Sequence, residues 1–357
     1  MTQPRITTLR QALQEKGLDA LVVSSLHNIR YLSSFTGSNA ICVINHDEAF
    51  FLTDGRYREQ SRAEVSRSFK RSFITLDLYE GIAGGGFLRG CGKVGFESHF
   101  VSYAQYRTMK KLCPAISFVP TADLVERLAL RKDATEIAAI RKAVHISDKV
   151  FDKVVSMVRP GIEERTIAAE ISYLHKRYGA EGDAFEPIVA SGQRGSIPHA
   201  RATSKRIANG EMVTLDFGCT VDGYNSDITR TVAVGRASRR AREMYKAVLD
   251  AQRGAIDSAR AGMRAQELDA VARERIRHAG FGKYFIHSLG HGLGLHVHER
   301  PRISALSTEE LQAGSVVTIE PGVYISGFGG VRIEDDVLLT DTGCTVLNAA
   351  PKELLIL

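Results

Sequence analysis

The sequence contains no tryptophan, only five cysteines and no long apolar run. The cysteines stand far apart and form no C-x-x-C pair, which argues against both a thiolate zinc site and a disulfide framework. The first residues lack the apolar stretch of a signal peptide, and no later stretch has the length and composition of a membrane-spanning helix. We therefore expect a cytoplasmic protein without a membrane partner.

The formal net charge is +6, and basic residues cluster at 66–73 (SRSFKRSF) and at 235–242 (GRASRRAR). A nucleic-acid site needs such a face interleaved with aromatic or base-reading side chains, and the absence of tryptophan removes one stacking group. We interpret both clusters as solvated surface and expect no nucleic-acid partner.

The length of 357 residues suits two domains. Asp133 followed by Glu136 is typical of a helix N-cap with its reciprocal partner, which places a boundary near Arg131. We predict domains at 1–130 and 131–357. In the first domain the patterns predict a helix near 9–16, a strand at DALVV (19–23), a hairpin turning at 46–47, a glycine-rich loop at 81–92, a strand at 93–98 and a helix at 103–112.

The second domain contains an internal repeat. GEMVTLDFG (210–218) matches GSVVTIEPG (314–322), which aligns Asp216 with Glu320. Each copy follows two helical segments and includes a hairpin with a second acid, Asp227 or Glu334, which we expect at an equivalent position. The repeat predicts a duplicated helix–helix–hairpin unit whose two sheets meet with four carboxylates at the seam.

The first hairpin fixes a register, because Asp222–Gly223 is a strong two-residue turn signal. In that register Asp216 and Asp227 lie on one face as diagonal neighbours, within about 7 Å, and Gly218 leaves space between them. Two buried carboxylates this close repel each other unless a cation lies between them. The duplicated acids therefore predict a divalent metal site.

Four histidines, His287, His291, His296 and His298, follow within HSLGHGLGLHVHE. The interspersed glycines exclude the helix of an H-E-x-x-H zinc site. One imidazole with four carboxylates is an oxygen-rich set that suits manganese, cobalt or iron as readily as zinc. Five ligands with bridging carboxylates are too many for one small ion and suit two.

The order and context of these residues resemble the pita-bread metallopeptidases of family M24, in the branch of Xaa-Pro aminopeptidases, Xaa-Pro dipeptidases (prolidases) and creatinase. The matching motifs are DFG…SDITRT, GHGLGLHVHE, TIEPGVY and GVRIEDDV. HNIRYLSSFTGSNA and FLTDGRYREQ resemble its creatinase-type N-terminal domain. The resemblance implies an α+β fold, with a pita-bread catalytic domain after a smaller α/β domain for dimerisation and cleft capping.

The resemblance also implies a site, held in a homodimer. Its metal ligands are Asp216, Asp227, His291, Glu320 and Glu334. Its catalytic residues are His199, His298, Glu320 and Arg332, and its substrate-binding residues are His199, His287, His298 and Tyr324. The implied cofactor is a pair of divalent ions that activate water, with Mn2+ favoured and Co2+, Zn2+ or Fe2+ as alternatives.

The leading hypothesis is an Xaa-Pro aminopeptidase that acts on peptides with proline at the second position. The alternative is an Xaa-Pro dipeptidase, whose cleft closes over the proline carboxylate with a histidine or arginine, for instance Arg30 or Arg56 of a partner subunit. A creatinase-like hydrolase or a binding module of the same fold remains a further alternative, against which the complete ligand set argues.

Overall fold

A computed structural model describes residues 2–75 and 77–357. The chain divides into two units, Met1–Ala129 and Leu130–Leu357. Met1 and Leu76, which the predicted N-terminal domain includes, lie outside the described residues. In the described part of the chain, no helix has both the length and the apolar composition needed to span a membrane.

The N-terminal unit is a mixed sheet with helices. Its helices are α1 (Thr2–Glu15), α2 (Leu26–Ser33), α3 (Arg58–Glu64), α4 (Leu78–Gly84), α5 (Tyr103–Leu112) and α6 (Leu124–Leu128). Its strands are β1 (Ala20–Val23), β2 (Ala40–Asn45), β3 (Ala49–Thr53), β4 (Lys70–Phe73), β5 (Lys93–Glu97) and β6 (Ser117–Thr121). They pair in the order β4-β3-β2-β1-β5-β6, antiparallel within β1–β3 and parallel elsewhere.

The predicted strands and the hairpin of this unit are confirmed, as is the helix at 103–112. Two predictions are wrong. The first helix begins at Thr2 because Ile6, Leu9 and Leu13 form one buried stripe. Residues 81–84 are helical and not loop, since the Asp77 carboxylate accepts hydrogen bonds from the first-turn amides and so caps α4.

The C-terminal unit holds four long helices and thirteen short strands within the described residues. Its helices are α7 (Ala134–Val154), α8 (Glu164–Arg177), α9 (Arg239–Ser258) and α10 (Ala265–His278). The strands of its first half are β7 (Gly182–Asp183), β8 (Ile188–Ser191), β9 (Met212–Phe217), β10 (Cys219–Val221), β11 (Tyr224–Asn225) and β12 (Ile228–Ala233). Those of its second half are β13 (Gly290–Gly292), β14 (Glu299–Ile303), β15 (Val316–Ile319), β16 (Gly322–Ile325), β17 (Gly329–Arg332), β18 (Asp335–Leu339) and β19 (Cys344–Val346).

Each half of this unit builds its own core. Helices α7 and α8 pack against β8, β9 and β12, while α9 and α10 pack against β15 to β18. The predicted capping box begins α7, where Asp133 accepts from the amide of Glu136 and the Glu136 carboxylate accepts from the amide of Asp133. The predicted duplication of a helix–helix–hairpin unit is confirmed.

The two hairpins differ by one residue in the turn, which corrects the expected equivalence of their second acids. Asp216 lies opposite Thr229 in the first hairpin, as the Asp222–Gly223 turn predicts. The second turn has three residues, 326–328, and its register places Glu334 opposite Glu320. Glu334 therefore occupies the place of Thr229, and not that of Asp227.

The same register gives Asp227 a cationic counterpart. Asp227 continues the first ladder opposite Gly218. In the second hairpin the matching glycine, Gly322, pairs with Arg332. The expected pair of equivalent acids is thus an acid in one hairpin and an arginine in the other, because the extra turn residue shifts the returning strand.

Gly218 is required for a reason other than the predicted space between two acids. A Cβ atom at this position would lie 1.8 Å from the carbonyl oxygen of Ser226. The two strands of the first hairpin approach each other at this point, next to Asp227, more closely than any side chain allows.

Candidate metal centre

One cavity of about 650 Å³ in the C-terminal unit gathers nine of the ten predicted site residues. They are His199, Asp216, Asp227, His287, His291, His298, Glu320, Arg332 and Glu334. The tenth, Tyr324, is buried and contacts Arg332 and His287, and it is not among the lining residues. Residues from both halves of the duplicated unit therefore meet at one place.

The core of the site is a group of possible metal ligands. Ligand atoms of Asp227, His291 and Glu334 all lie within 4.8 Å of one another. The His291 Nε2 atom is 3.3 Å from Glu320 Oε1 and 3.8 Å from Asp227 Oδ2. His291 Nδ1 donates to the carbonyl of Gly292, 3.0 Å away, so Nε2 keeps its lone pair on the side of the acids.

Two carboxylate oxygens of this group are buried without a hydrogen bond from residues 2–75 or 77–357. These are Oδ1 of Asp227 and Oε1 of Glu334. An unsatisfied buried oxygen is costly unless a cation or a proton lies against it. Since carboxylates and a neutral imidazole are the donors that Mn2+, Fe2+, Co2+ and Zn2+ take, the residues present fit a divalent metal.

The acids also perturb one another. Burial, followed by repulsion from Glu334 and Asp216, raises the pKa of Asp227 well above its usual range. Burial and the neighbouring acids likewise raise the pKa of Glu334, and burial raises the pKa of Glu320 to about 8. Burial lowers the pKa of His291 to about 4, which keeps its imidazole neutral. Cation binding at such a group is coupled to proton release.

Arg332 supports this group through contacts with Asp216 and Thr229. Its Nη2 atom forms an ion pair with Asp216, and its Nε atom donates to Thr229 Oγ1 at 3.0 Å. Thr229 in turn donates to Glu334 Oε2 at 2.6 Å. The sequence did not single out Thr229 as a site residue, although the period-two alternation from Asp227 places it on the same face.

Tyr324 and His287 continue the hydrogen-bond network of Arg332. The Tyr324 hydroxyl accepts from Arg332 Nη1 at 2.6 Å and lies 3.0 Å from His287 Nε2. Because His287 Nδ1 donates to the carbonyl of Ser288, its Nε2 accepts the proton of the tyrosine. Burial and the charge of Arg332 lower the pKa of His287 to about 4, and burial raises the pKa of Tyr324 to about 12.

A buried polar layer lies behind the acids, and sequence reasoning missed it. The Asp336 carboxylate accepts from the amide of Asp227 at 2.9 Å. Arg230, almost fully buried, donates to the carbonyls of Thr229 and Glu334 at 3.0 and 2.5 Å and pairs with Asp335. The bonds of Asp336 with Asp227, and of Arg230 with Glu334 and Asp335, join the two hairpins beside the acids through residues more than a hundred positions apart.

The open side of the cavity carries the remaining predicted residues. His199 and His298 are exposed there, and the His298 ring stands edge-on to that of His291 with centroids 4.3 Å apart. The apolar part of the wall includes Phe185, Ile188 and Val297, and two further cations, Arg201 and Arg302, also line the cavity. The cavity thus combines a carboxylate cluster, two accessible imidazoles and positive charge.

Comparison with known proteins agrees with this architecture. Residues 138–341 match the profile of metallopeptidase family M24, and residues 5–129 match that of the creatinase/prolidase N-terminal domain. An Xaa-Pro dipeptidase of Pyrococcus furiosus is 38% identical over 98% of this chain and 99% of its own length.

Two solved structures are similar over nearly their whole length. An Xaa-Pro dipeptidase from Bacillus anthracis has a TM-score of 0.97 and 40% identity and covers 100% of both chains. An X-Pro aminopeptidase from Thermotoga maritima has a TM-score of 0.91 and 36% identity and covers 99% of both. The predicted α+β class, with a creatinase-type domain before a pita-bread domain, is confirmed. Since the M24 profile spans more than half of the residues, the chain belongs to metallopeptidase family M24.

Proposed function

We propose that this M24 metallopeptidase is an Xaa-Pro dipeptidase, which hydrolyses dipeptides that end in proline. The observation that carries the proposal is a cavity in which a carboxylate cluster and three arginines lie together. Relatives and solved structures named Xaa-Pro dipeptidase, which align along the whole chain, support it over the aminopeptidase hypothesis.

The proposed metal ligands are the five residues of the cluster. They are Asp216, Asp227, His291, Glu320 and Glu334. We propose that they hold two divalent ions, with Mn2+ first among the candidates. When bound, these ions would polarise the scissile carbonyl and lower the pKa of the attacking water.

The remaining residues bind and orient the substrate in this proposal. His298 and His199, both exposed in the cavity, donate hydrogen bonds to the scissile carbonyl oxygen and to the leaving proline nitrogen. That nitrogen leaves as an amine and needs a proton, which Glu320 is suited to take from the attacking water and pass on from its carboxyl oxygen. Arg332 forms an ion pair with Asp216 and so fixes the orientation of that carboxylate.

Recognition of the proline carboxylate distinguishes a dipeptidase from an aminopeptidase. The cavity is lined by three arginines among the described residues, and Arg332 is already engaged by Asp216, Thr229 and Tyr324. Arg201 is largely exposed and lies 3.3 Å from Glu186. We propose Arg302 as the cation for the substrate carboxylate, in place of an arginine from a partner subunit.

Xaa-Pro aminopeptidase activity is the second candidate. It is favoured by the similarity to the X-Pro aminopeptidase structure and by an open groove that adjoins the cavity. The groove shares His287, Ser288 and Arg302 with the cavity lining, so residues after proline could extend along it.

A substrate comparison tests the proposal. Metal-stripped enzyme is assayed on Ala-Pro and Ala-Pro-Ala before and after Mn2+ is returned. We expect metal-dependent cleavage of Ala-Pro and a kcat/KM at least about tenfold lower on Ala-Pro-Ala. Equal or faster cleavage of the tripeptide would establish the aminopeptidase, and no metal-dependent cleavage of either peptide would refute both.

We also propose that residues 1–130 form a dimerisation and cleft-capping domain, that residues 131–357 form the catalytic domain, and that the enzyme is a cytoplasmic homodimer. The creatinase/prolidase profile over 5–129 supports the domain assignment. Sedimentation equilibrium should give twice the chain mass, and a monomer or tetramer would contradict the dimer.

A further inference from the structure

The segment between β8 and β9 forms one side of the active cavity. It carries Pro198, His199 and Arg201, all of which line the cavity. Apart from a short 3-10 turn at Gly192–Ser196 and an isolated bridge at Arg206, the segment has no regular secondary structure. Strand ladders flank this segment but do not run through it, so other contacts must hold it in place.

The principal anchor is the carboxylate of Glu164, in the first turn of α8. This residue is fully buried, and its two oxygens accept five hydrogen bonds. Oε1 accepts from the amide and the hydroxyl of Ser191, both at 2.8 Å. Oε2 accepts from Arg194 Nε at 3.0 Å, and from the amide and the hydroxyl of Thr203 at 3.2 and 3.0 Å. One carboxylate thus joins Ser191, at the end of β8, to Thr203, and so fixes the stretch 191–203 of this segment.

Two further contacts extend the anchor towards the cavity. Arg194, whose side chain is 29% exposed, also donates through Nη2 to the carbonyl of Arg201. The backbone amides of Glu164 and Arg165 donate to the carbonyls of Lys205 and Thr203 at 3.0 and 2.9 Å. Arg194 therefore does not serve the substrate directly, and instead links Glu164 to the backbone of a cavity residue.

The opposite side of the segment lies against β17. A Cβ atom on Gly330 would lie 2.0 Å from the carbonyl oxygen of Gly195, so two glycine backbones are in direct contact. Arg332 Nη1 reaches the carbonyl of Pro198 at 3.4 Å. The segment is clamped between Glu164 on one side and the strand that carries Arg332 on the other.

We propose that Glu164 is a positioning residue for substrate binding, which acts through the segment 191–203 on the placement of His199 and Arg201. The inference deepens the proposed function and rests on it for the choice of substrate. A buried carboxylate is stable only while its donors converge on it. A glutamine of the same shape presents an N–H2 group to at least one of those donors, so the segment would lose its fixed position.

The test compares Glu164→Gln with the matched control Glu163→Gln. Glu163 is adjacent but its carboxylate pairs with Arg165 and Arg206, and in the described part of the chain it makes no hydrogen bond to residues 191–203. For Glu164→Gln we expect a KM for Ala-Pro raised about tenfold, a kcat within about threefold, and unchanged Mn2+ content. Amide hydrogen exchange within 192–203 should become faster, and Glu163→Gln should match the wild type in all four measurements.

Failure of the proposed function and failure of the positioning role can be told apart, because amide hydrogen exchange is measured without substrate. If the wild type does not cleave Ala-Pro, the proposed function fails while the exchange comparison still tests Glu164. Unchanged KM and exchange, or a joint fall of kcat and Mn2+ content at constant KM, would overturn the positioning role. If Glu164→Gln does not fold, Arg194→Gln tests the same link and should raise KM in the same direction, and an unchanged KM there would also overturn it.

Discussion

The Oγ1 atom of Thr229 lies 2.6 Å from Oε2 of Glu334, so a side chain of the first hairpin orients a carboxylate of the second. The Oγ1 atom of Thr229 also accepts a hydrogen bond from Arg332 Nε at 3.0 Å. A guanidinium can only donate, so the single hydroxyl proton of Thr229 is committed to Glu334. Because the two residues occupy equivalent register positions, the duplicated halves meet through this bond.

Thr229→Val should weaken metal binding with little change in shape. Valine removes the donor to Glu334 and the acceptor for Arg332. Loss of such an outer hydrogen bond typically costs about 10- to 100-fold in metal affinity, and we expect that loss in the Kd for Mn2+. Titration of metal-stripped protein measures it. Thr220→Val is the control, because the Thr220 hydroxyl donates to Asn225 on the neighbouring strand, and an equal loss there would remove Thr229 from the site.

Gly218→Ala should destabilise the C-terminal unit and disturb Asp227. Its Cβ would meet the carbonyl oxygen of Ser226 at 1.8 Å, which forces the strands apart and costs about 1–3 kcal/mol. Gly182→Ala is the matched control, because Gly182 lies in the adjacent sheet with no heavy atom within 4 Å of its Cβ position. The thermal unfolding temperature and the Mn2+ content should both fall for Gly218→Ala and stay unchanged for Gly182→Ala. Equal melting temperatures for the two variants would contradict the close approach.

Arg302→Met should slow the cleavage of a dipeptide and leave the cleavage of the corresponding dipeptide amide unchanged. If Arg302 binds the proline carboxylate, its loss removes a charge-assisted hydrogen bond worth about 1.5–3 kcal/mol, or about 10- to 100-fold in kcat/KM on Ala-Pro. Ala-Pro amide lacks that carboxylate and should be cleaved by both enzymes at similar rates. Arg206→Met is the control, because Arg206 pairs with Glu163 and lies outside the cavity lining. An equal loss on the amide would show that Arg302 acts in some other way.

Local signals allowed the first hairpin to be predicted from the sequence. Asp222 and Gly223 both take positive φ values, as a two-residue turn requires, and the turn alone sets the pairing of Asp216 with Thr229. The repeat of motifs likewise brought the acids of both hairpins to one site. These inferences succeed because turn geometry and strand alternation depend on neighbours along the chain.

Features that depend on contacts between distant parts of the chain could not be predicted from the sequence. A motif alignment does not reveal one additional residue in the second turn, so Asp227 was matched with Glu334 and not with Arg332. Glu164 reads as an ordinary residue of a helical first turn, yet its partners lie 27 to 39 positions away. Such roles depend on which segments pack together, and no local pattern encodes that.

The pH dependence of stability should include a contribution from His287. Burial lowers its pKa in the folded chain to about 4, whereas an unfolded chain has about 6.5. As the pH falls below about 6.5 the unfolded chain takes up a proton that the folded chain does not bind, so stability present above that pH is lost towards pH 4, by up to about 3 kcal/mol.

His287→Gln keeps an acceptor near Tyr324 and does not titrate. The stability advantage of the wild type over this variant should therefore shrink on acidification, and denaturation midpoints of the two metal-stripped proteins at neutral and mildly acidic pH measure it. Because His291 titrates in both proteins, its contribution cancels, and a difference that stays constant with pH would show that His287 is not held neutral by burial.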